Sequence, residues 1–344
     1  MPASIRGRAP CRIDLAGGWT DVSPFADREG GAVVNVAINR YTYASVHSRS
    51  DRAVRLRSDD YGIEVSIDDL DLLTYDGRLD LPKAALKRLG ADHGFMIATR
   101  ADVPPGSGLG TSAAMAVAIL GALDTWRQVS RAPPELAALA HLLEVEELGI
   151  AGGKQDQLAA ALGGINFLEF DAGTPASTPL EVRPGVVNEL EKRLVLCYSG
   201  ISRLSGDIIQ RVQAAYLAAD PSTCAALRTM RGLAHATRSA LMAGDVEELG
   251  PILHENWRCQ HALHPSVTNV EVDRLFEIAA AHGARGGKAC GAGGGGCLVF
   301  WAAADAERGL RDALAAAGAQ IVDFNVDRTG LQTWRVDSTT GRVL

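Results

Sequence analysis

Residues 104–112 read PPGSGLGTS, with three glycines at alternate positions between an apolar extended run and an apolar helical run. Phe95 to Val103 predicts a strand that ends at Pro104 and Pro105, and Ser112 to Trp126 predicts a helix, so the backbone must turn sharply between them. Glycine admits positive φ and close approach, and the first amides of a helix have no intrahelical partner and lie at its positive dipole end. A strand, loop and helix in this order hold an anion, and the phosphates of a nucleotide suit the geometry. Pro105, Gly106, Ser107, Gly108, Leu109, Gly110, Thr111 and Ser112 are therefore the candidate nucleotide-binding residues.

The loop is not a Walker sequence, because Gly106 to Ser112 contains no lysine. Helix amides and a bound Mg²⁺ must then carry more of the phosphate charge, with the hydroxyls of Thr111 and Ser112 in reach of the metal. A dinucleotide-binding turn is disfavoured as well. The spacing is GxGxG, the loop follows a Pro-Pro pair, and it comes after an antiparallel meander about a hundred residues into the chain.

That meander is predicted from Ala32 to Ala37, Tyr41 to His47, Val54 to Arg57 and Ile63 to Ile67. A second helix opens at Pro134, carries Leu136, Leu139, Leu143 and Leu148, and stops at Gly149. Between Asp171 and Gly185 the chain turns rich in Pro, Gly, Ser and Thr, which marks a boundary between an amino-terminal domain, 1–184, and a carboxy-terminal domain, 185–344. The second half reads as helical to Gly283, then as a glycine-rich loop, the strand Cys297 to Trp301, the helix Ala306 to Ala317 and the strand Gln320 to Val326. A β-α-β unit in an α+β fold is the expectation.

Composition narrows the function. With 47% of 344 residues hydrophobic and 5% aromatic, the chain can bury a large core built from Ala, Val, Leu and Ile. The formal charge is -7 and no basic stripe occurs, so nucleic acid is not the expected partner. MPASIRGRAPCRID lacks the apolar centre of a signal peptide, and the apolar run Ala113 to Leu123 is too short to span a bilayer, which predicts a cytoplasmic protein without a membrane partner. Cys11, Cys197, Cys224, Cys259, Cys290 and Cys297 stand singly and are expected as thiols. His254, His261 and His264 lie near Cys259, but their spacing matches no standard zinc pattern.

PPGSGLGTSAA resembles the second signature of the GHMP kinases, the family of galactokinase, homoserine kinase, mevalonate kinase and phosphomevalonate kinase. APCRIDLAGGWTD resembles the first signature of its sugar kinases, GGKQDQ resembles the segment with the catalytic aspartate, and KACGAGGGGC resembles the third signature. The resemblance implies an amino-terminal α/β domain joined to a ferredoxin-like carboxy-terminal domain, with ATP and acceptor meeting in the cleft. It implies Asp156 as proton acceptor, Arg12 beside the transferring phosphoryl group, Asp21 on sugar hydroxyls, and Mg²⁺ held by Ser112 and Glu144, with Glu146 and Glu147 as rivals. The residue chemistry agrees: on a strand that turns Ile13 and Leu15 to the core, Arg12 points the other way, and an arginine stabilises phosphoryl charge.

Within the family, GGKQDQLAAALGGINFLEF and GGKACGAGGGG are most similar to the kinases of D-glycero-D-manno-heptose 7-phosphate, whereas GGWTD is similar to the fucokinase signature. An acceptor phosphate needs a cation, and Lys154, Arg28 and Arg203 are candidates, Lys154 first. Gly18, Trp19 and Asp21 from the first signature, and Gly293, Gly294 and Gly295 from the third, complete the expected sugar site, where Trp19 can stack on a sugar face. Three readings stand at this point: an anomeric heptose-phosphate kinase, a free-sugar kinase like fucokinase, and a silent nucleotide- or sugar-binding relative.

Overall fold

The computed structural model describes residues 3–173, 175–202 and 206–344, with nothing to be said of the Ala3 side chain. Two sheets organise the described residues. The first has eight strands: β1 (Ala3–Ala16), β2 (Gly31–Ser48), β3 (Val54–Ser58), β4 (Ile63–Ile67), β5 (Phe95–Ala101), β6 (Ile165–Phe170), β7 (Ala176–Pro179) and, from the far end of the chain, a strand at Gln332–Asp337. The second has four, β8 (Leu194–Tyr198), β9 (Ala284–Ala289), β10 (Cys297–Ala302) and β11 (Gln320–Ile321), in the order β11-β8-β10-β9. The Gln332–Asp337 strand is β12. Helices are α1 (Phe25–Glu29), α2 (Asp80–Arg88), α3 (Thr111–Arg127), α4 (Pro133–Leu142), α5 (Gln155–Leu162), α6 (Pro184–Arg193), α7 (Gly206–Leu217), α8 (Pro221–Ala243), α9 (Leu249–Leu263), α10 (Val270–Ala281) and α11 (Glu307–Ala316).

The second sheet is the ferredoxin-like arrangement. Every pairing in it is antiparallel, and β10 and β11 run parallel to each other on either side of β8, so β10, α11 and β11 form a split β-α-β unit. The mixed α+β fold follows as expected from the sequence. Four local expectations need correction. The strands predicted at 32–37 and 41–47 are one strand, β2, because Asn39 and Arg40 bulge out opposite Pro10 and Cys11 and Asn39 bonds to Asn325 instead. The meander is broken by a parallel pair, β3 on β5. β8 and β9 lie in stretches read as helix and loop. The strand predicted to Val326 pairs only at Gln320 and Ile321.

β9 hides in its own glycines. A Cβ on Gly286 would sit 1.9 Å from the Gly250 carbonyl oxygen, and one on Gly287 would sit 2.3 Å from the Phe300 ring. These glycines let α9 and β10 press against the strand instead of ending it. The predicted helix ending at Gly149 likewise stops at Leu142 and continues as a π-turn, Leu143–Glu147, with the Leu148 amide bonded to the Leu143 carbonyl at 3.1 Å.

One apolar cluster fills the space between the first sheet and α3, α4 and α5, with Val117, Leu120, Leu136, Leu143 and Leu158 against Val33, Val46 and Ile97. A second joins the two sheets, packing Cys11, Ile13, Leu15 and Val34 against Leu196, Leu253, Val299 and Trp301. β1 and β2 are thus covered on both faces and form the wall on which the site is built. All six cysteines are buried and unpaired. Among the described residues, no helix is long and apolar enough to cross a membrane.

One ion pair crosses between the sheets inside this core. Lys288 of β9 is 0% exposed, and its Nζ donates to Asp14 Oδ2 of β1 at 2.5 Å and to the Asp14 carbonyl at 3.0 Å. Removing one partner of such a pair strands the other charge in the interior, which costs about 3–5 kcal/mol. Lys288→Met is expected to lower the unfolding free energy from urea titration by that amount, and adding Asp14→Asn is expected to recover part of it.

Candidate active site

Strand alternation puts Arg12 and Asp14 on the same face of β1, opposite Ala37 and Asn35 of β2. Arg12 is 5% exposed and joins three parts of the chain. Its Nε and second terminal nitrogen both donate to Asp156 Oδ1 at 2.7 Å, and its other terminal nitrogen donates to the Gly108 carbonyl at 2.6 Å. The Arg12 amide in turn donates to the Leu109 carbonyl at 3.0 Å.

The glycine loop runs into α3 as expected. Gly106, Gly108 and Gly110 have φ of 72°, 76° and 72°, and Gly110 is the residue just before α3. At Gly110 there is a second reason for glycine, since a Cβ would lie 3.1 Å from Asp156 Cγ. The carboxylate at the start of α5 is therefore in contact with the mouth of the loop. Ser107 is buried, and its hydroxyl lies 3.1 Å from that of Thr111. The Pro105 carbonyl accepts from Ser202 at 2.7 Å.

The third glycine segment buttresses this loop from the second sheet. The Cys297 amide donates to the Ser107 carbonyl at 2.6 Å, and a Cβ on Gly291 would meet Gly108 Cα at 2.9 Å. Gly293, Gly294 and Gly295 lie beside it, packed on Val267 and Ile201, with the Gly294 carbonyl accepting from Asn269 at 3.0 Å.

Glu144 stands in the π-turn after α4, 7% exposed. Ser112 Oγ donates to Glu144 Oε1 at 2.5 Å, and Gln157 Nε2 donates to Oε2 at 2.7 Å. Burial pushes its carboxyl pKa up, these two hydrogen bonds hold it down in part, and the Asp156 charge adds to the rise. Glu146 and Glu147 turn to Arg88, at 3.5 and 3.2 Å, so Glu144 is the carboxylate beside Ser112. Among the described residues no group of three or more His, Cys, Asp or Glu could hold a metal by itself. A carboxylate paired with a hydroxyl at the head of an anion-binding loop fits Mg²⁺, which takes one or two carboxylates together with substrate phosphates.

On the acceptor side, Asp21 is 2% exposed and accepts from the Gln155 amide at 3.1 Å and from Gln155 Nε2 at 3.4 Å. Gly153 and Gly18 make room around it. A Cβ on Gly153 would lie 1.9 Å from Asp21 Oδ2, and one on Gly18 would lie 2.0 Å from Asp14 Oδ2 and 3.2 Å from Gln155 Nε2. A cavity of about 280 Å³ opens beside Asp21, lined by His141, Gly152, Lys154 and Gln213 among others. Trp19, at φ 81°, is buried in the apolar cluster with Phe25, Ile208 and Met230, and its indole nitrogen is buried without a partner. Arg28 is exposed on α1 and is not among the residues that line the cavity. Arg203 lies outside the described residues. Sequence reasoning passed over Asp14, Gln155, Gln157, His141 and Lys288, although Gln155 and Gln157 flank Asp156 in the QDQ triplet that was singled out.

Family models agree with this architecture. Residues 80–164 match the GHMP kinases N-terminal domain and residues 237–320 the GHMP kinases C-terminal domain. The chain belongs to the GHMP kinase family. It is 32% identical over 97% of its length to 99% of D-glycero-alpha-D-manno-heptose 7-phosphate kinase from Campylobacter jejuni. It is 33% identical over 90% of its length to a bifunctional fucokinase/GDP-fucose pyrophosphorylase from Arabidopsis thaliana, matching 30% of that protein. The crystal structure of a D-glycero-D-manno-heptose 1-phosphate kinase from Bacteroides thetaiotaomicron superposes with a TM-score of 0.81 at 30% identity, over 97% of this chain and 100% of that one.

The Asp21 environment has a measurable consequence. Burial, followed by the charge of Asp156, pushes its carboxyl up to about 6. Between about pH 4 and pH 6 the folded chain holds a proton that the unfolded chain has released, so stability falls as pH rises through that window. Asp21→Asn, neutral throughout, is expected to exceed the parent by roughly 2–3 kcal/mol at pH 7 and to lose that advantage below about pH 4. Urea titrations at pH 4 and pH 7 check this.

Proposed function

We propose that the chain transfers the γ-phosphoryl group of ATP to the anomeric hydroxyl of D-glycero-D-manno-heptose 7-phosphate, giving the 1,7-bisphosphate. The observation that carries the reading is the contact of Asp156 with both Arg12 and the last glycine of the phosphate loop. It sets a proton acceptor where a hydroxyl can approach a triphosphate held on the α3 amides. Similarity to heptose-phosphate kinases along nearly the whole chain supports this acceptor.

In the proposed reaction the acceptor oxygen attacks Pγ, the bond from Pγ to the β-bridging oxygen breaks, ADP departs, and the hydroxyl proton passes to Asp156. Arg12 fixes the Asp156 carboxylate and stands ready to share the charge on the transferring group. Asp21 orients the sugar by accepting from its hydroxyls, held in turn by Gln155. Ser112 and Glu144 would hold Mg²⁺, which when bound neutralises charge on the phosphate oxygens. Gln157 fixes the second oxygen of Glu144, so the first is aimed at the loop. We assign the ATP-binding part to an amino-terminal domain, 1–184, and the ferredoxin-like part to 185–344, whose last strand β12 returns to the first sheet, with the protein acting in the cytoplasm.

A fucokinase-like activity on a free sugar is the second reading, favoured by the GGWTD signature and by the plant fucokinase relative. ATP consumption over heptose 7-phosphate, fucose, galactose, mevalonate and homoserine separates the two, with product analysis locating the new phosphate. Turnover of fucose without turnover of heptose 7-phosphate would overturn the first reading. Asp156→Ala is expected to lower kcat by about 10²- to 10⁴-fold while ATP affinity changes little. No turnover with any acceptor by a folded parent would leave a silent binding relative.

A further inference from the structure

The chain has five lysines. Lys83, Lys192 and Lys288 form ion pairs, and Lys87 lies over the Tyr75 ring at 4.9 Å. Lys154 alone has no ion-pair, hydrogen-bonding or ring partner among the described residues, although it is half-buried at the N-terminus of α5 and lines the cavity beside Asp21. An ammonium group in a walled pocket without an ion-pair partner leaves an attraction unused. Its neighbour in the wall is His141, in the last turn of α4, also half-buried.

Burial disfavours the charged form of His141, a hydrogen bond to the Gly152 carbonyl favours it, the Lys154 charge opposes it and Glu146 assists it. A dianion between the two side chains would pair with Lys154 and draw a proton onto His141, a combination that a neutral ligand does not reward. Gln213 and Ser23 close the cavity with groups that carry no charge, and the Gln213 amide is fixed by donating to the Ser23 carbonyl at 2.7 Å. Asp21 lines the same cavity and leads through Gln155 to Asp156. The pocket therefore combines a hydroxyl-accepting carboxylate with a cationic pair.

We propose that Lys154 and His141 form a phosphate-monoester subsite in the wall of the acceptor pocket, selecting a sugar phosphate over the free sugar. The subsite rests on the sugar-phosphate reading given above and deepens it. His141 is its less expected half: it carries no family signature, and the fold alone brings it to the cavity.

The test compares kcat/KM for heptose 7-phosphate with that for the same heptose lacking phosphate, in the parent, Lys154→Met and Lys154→Arg. The ratio is expected to fall about 10- to 100-fold in Lys154→Met, through KM more than kcat, and to recover in large part in Lys154→Arg. An unchanged ratio in Lys154→Met would overturn the subsite and leave the heptose-phosphate kinase intact. A second measurement follows the His141 ring by NMR, assigned with His141→Gln, during titration with inorganic phosphate. The apparent pKa of His141 is expected to rise with phosphate in the parent and to stay put in Lys154→Met. If the parent turns over no heptose 7-phosphate, the acceptor reading falls, and the His141 titration still decides the subsite: a ring indifferent to phosphate sinks it.

Discussion

The guanidinium of Arg12 is the constraint on which the site depends. It stands on β1, grips Asp156 at the head of α5, and sets the direction of the phosphate loop by donating to the Gly108 carbonyl. Three segments far apart in sequence meet at one planar group whose donors are fixed in a fork. A point charge on a flexible stem would satisfy the carboxylate without setting the angle of the loop. Because Arg12 is buried and Asp156 half-buried, their attraction is only partly weakened by solvent, and the loss of either member would leave an unpaired charge in the cleft.

Around that fork, each glycine segment serves a different surface. The loop before α3 exposes amides, the segment at Gly152 and Gly153 leaves space for Asp21, and Gly291 lets the second sheet touch the back of the phosphate loop. The last contact carries the ferredoxin-like half into the site. It acts together with the Asp14–Lys288 pair, which ties the same two sheets a few residues from Arg12 and Cys290. The cleft is therefore framed by contacts from both halves, while the residues of the proposed chemistry are concentrated on α5, β1 and the π-turn.

Much of this was legible in sequence because the constraints are local. A strand, three spaced glycines and a helix can meet in few ways, and Asp156, Arg12, Ser112 and Glu144 sit where the motif spacing puts them. What escaped was set by contacts distant along the chain. Gly286 and Gly287 read as breakers until α9 and Phe300 are seen pressing on β9. Asn39 and Arg40 fall between two predicted strands until Asn325 is found bonded to the bulge. His141 gave no signal because its significance comes from facing Lys154, thirteen positions later and across a π-turn that periodicity does not announce.

The strand β12 has one more implication. It pairs with β1 from Ala3↔Asp337 to Arg8↔Gln332, on the edge opposite β2. Until residues 332–337 arrive, the strand that bears Arg12 offers an open row of amides and carbonyls to any passing β-segment. A nascent chain can thus assemble its loop and helices early, yet β1 waits unprotected for a segment made much later, β12. Synthesis order and sheet order run against each other here, and the interval between them is when the protein is most exposed to mispairing.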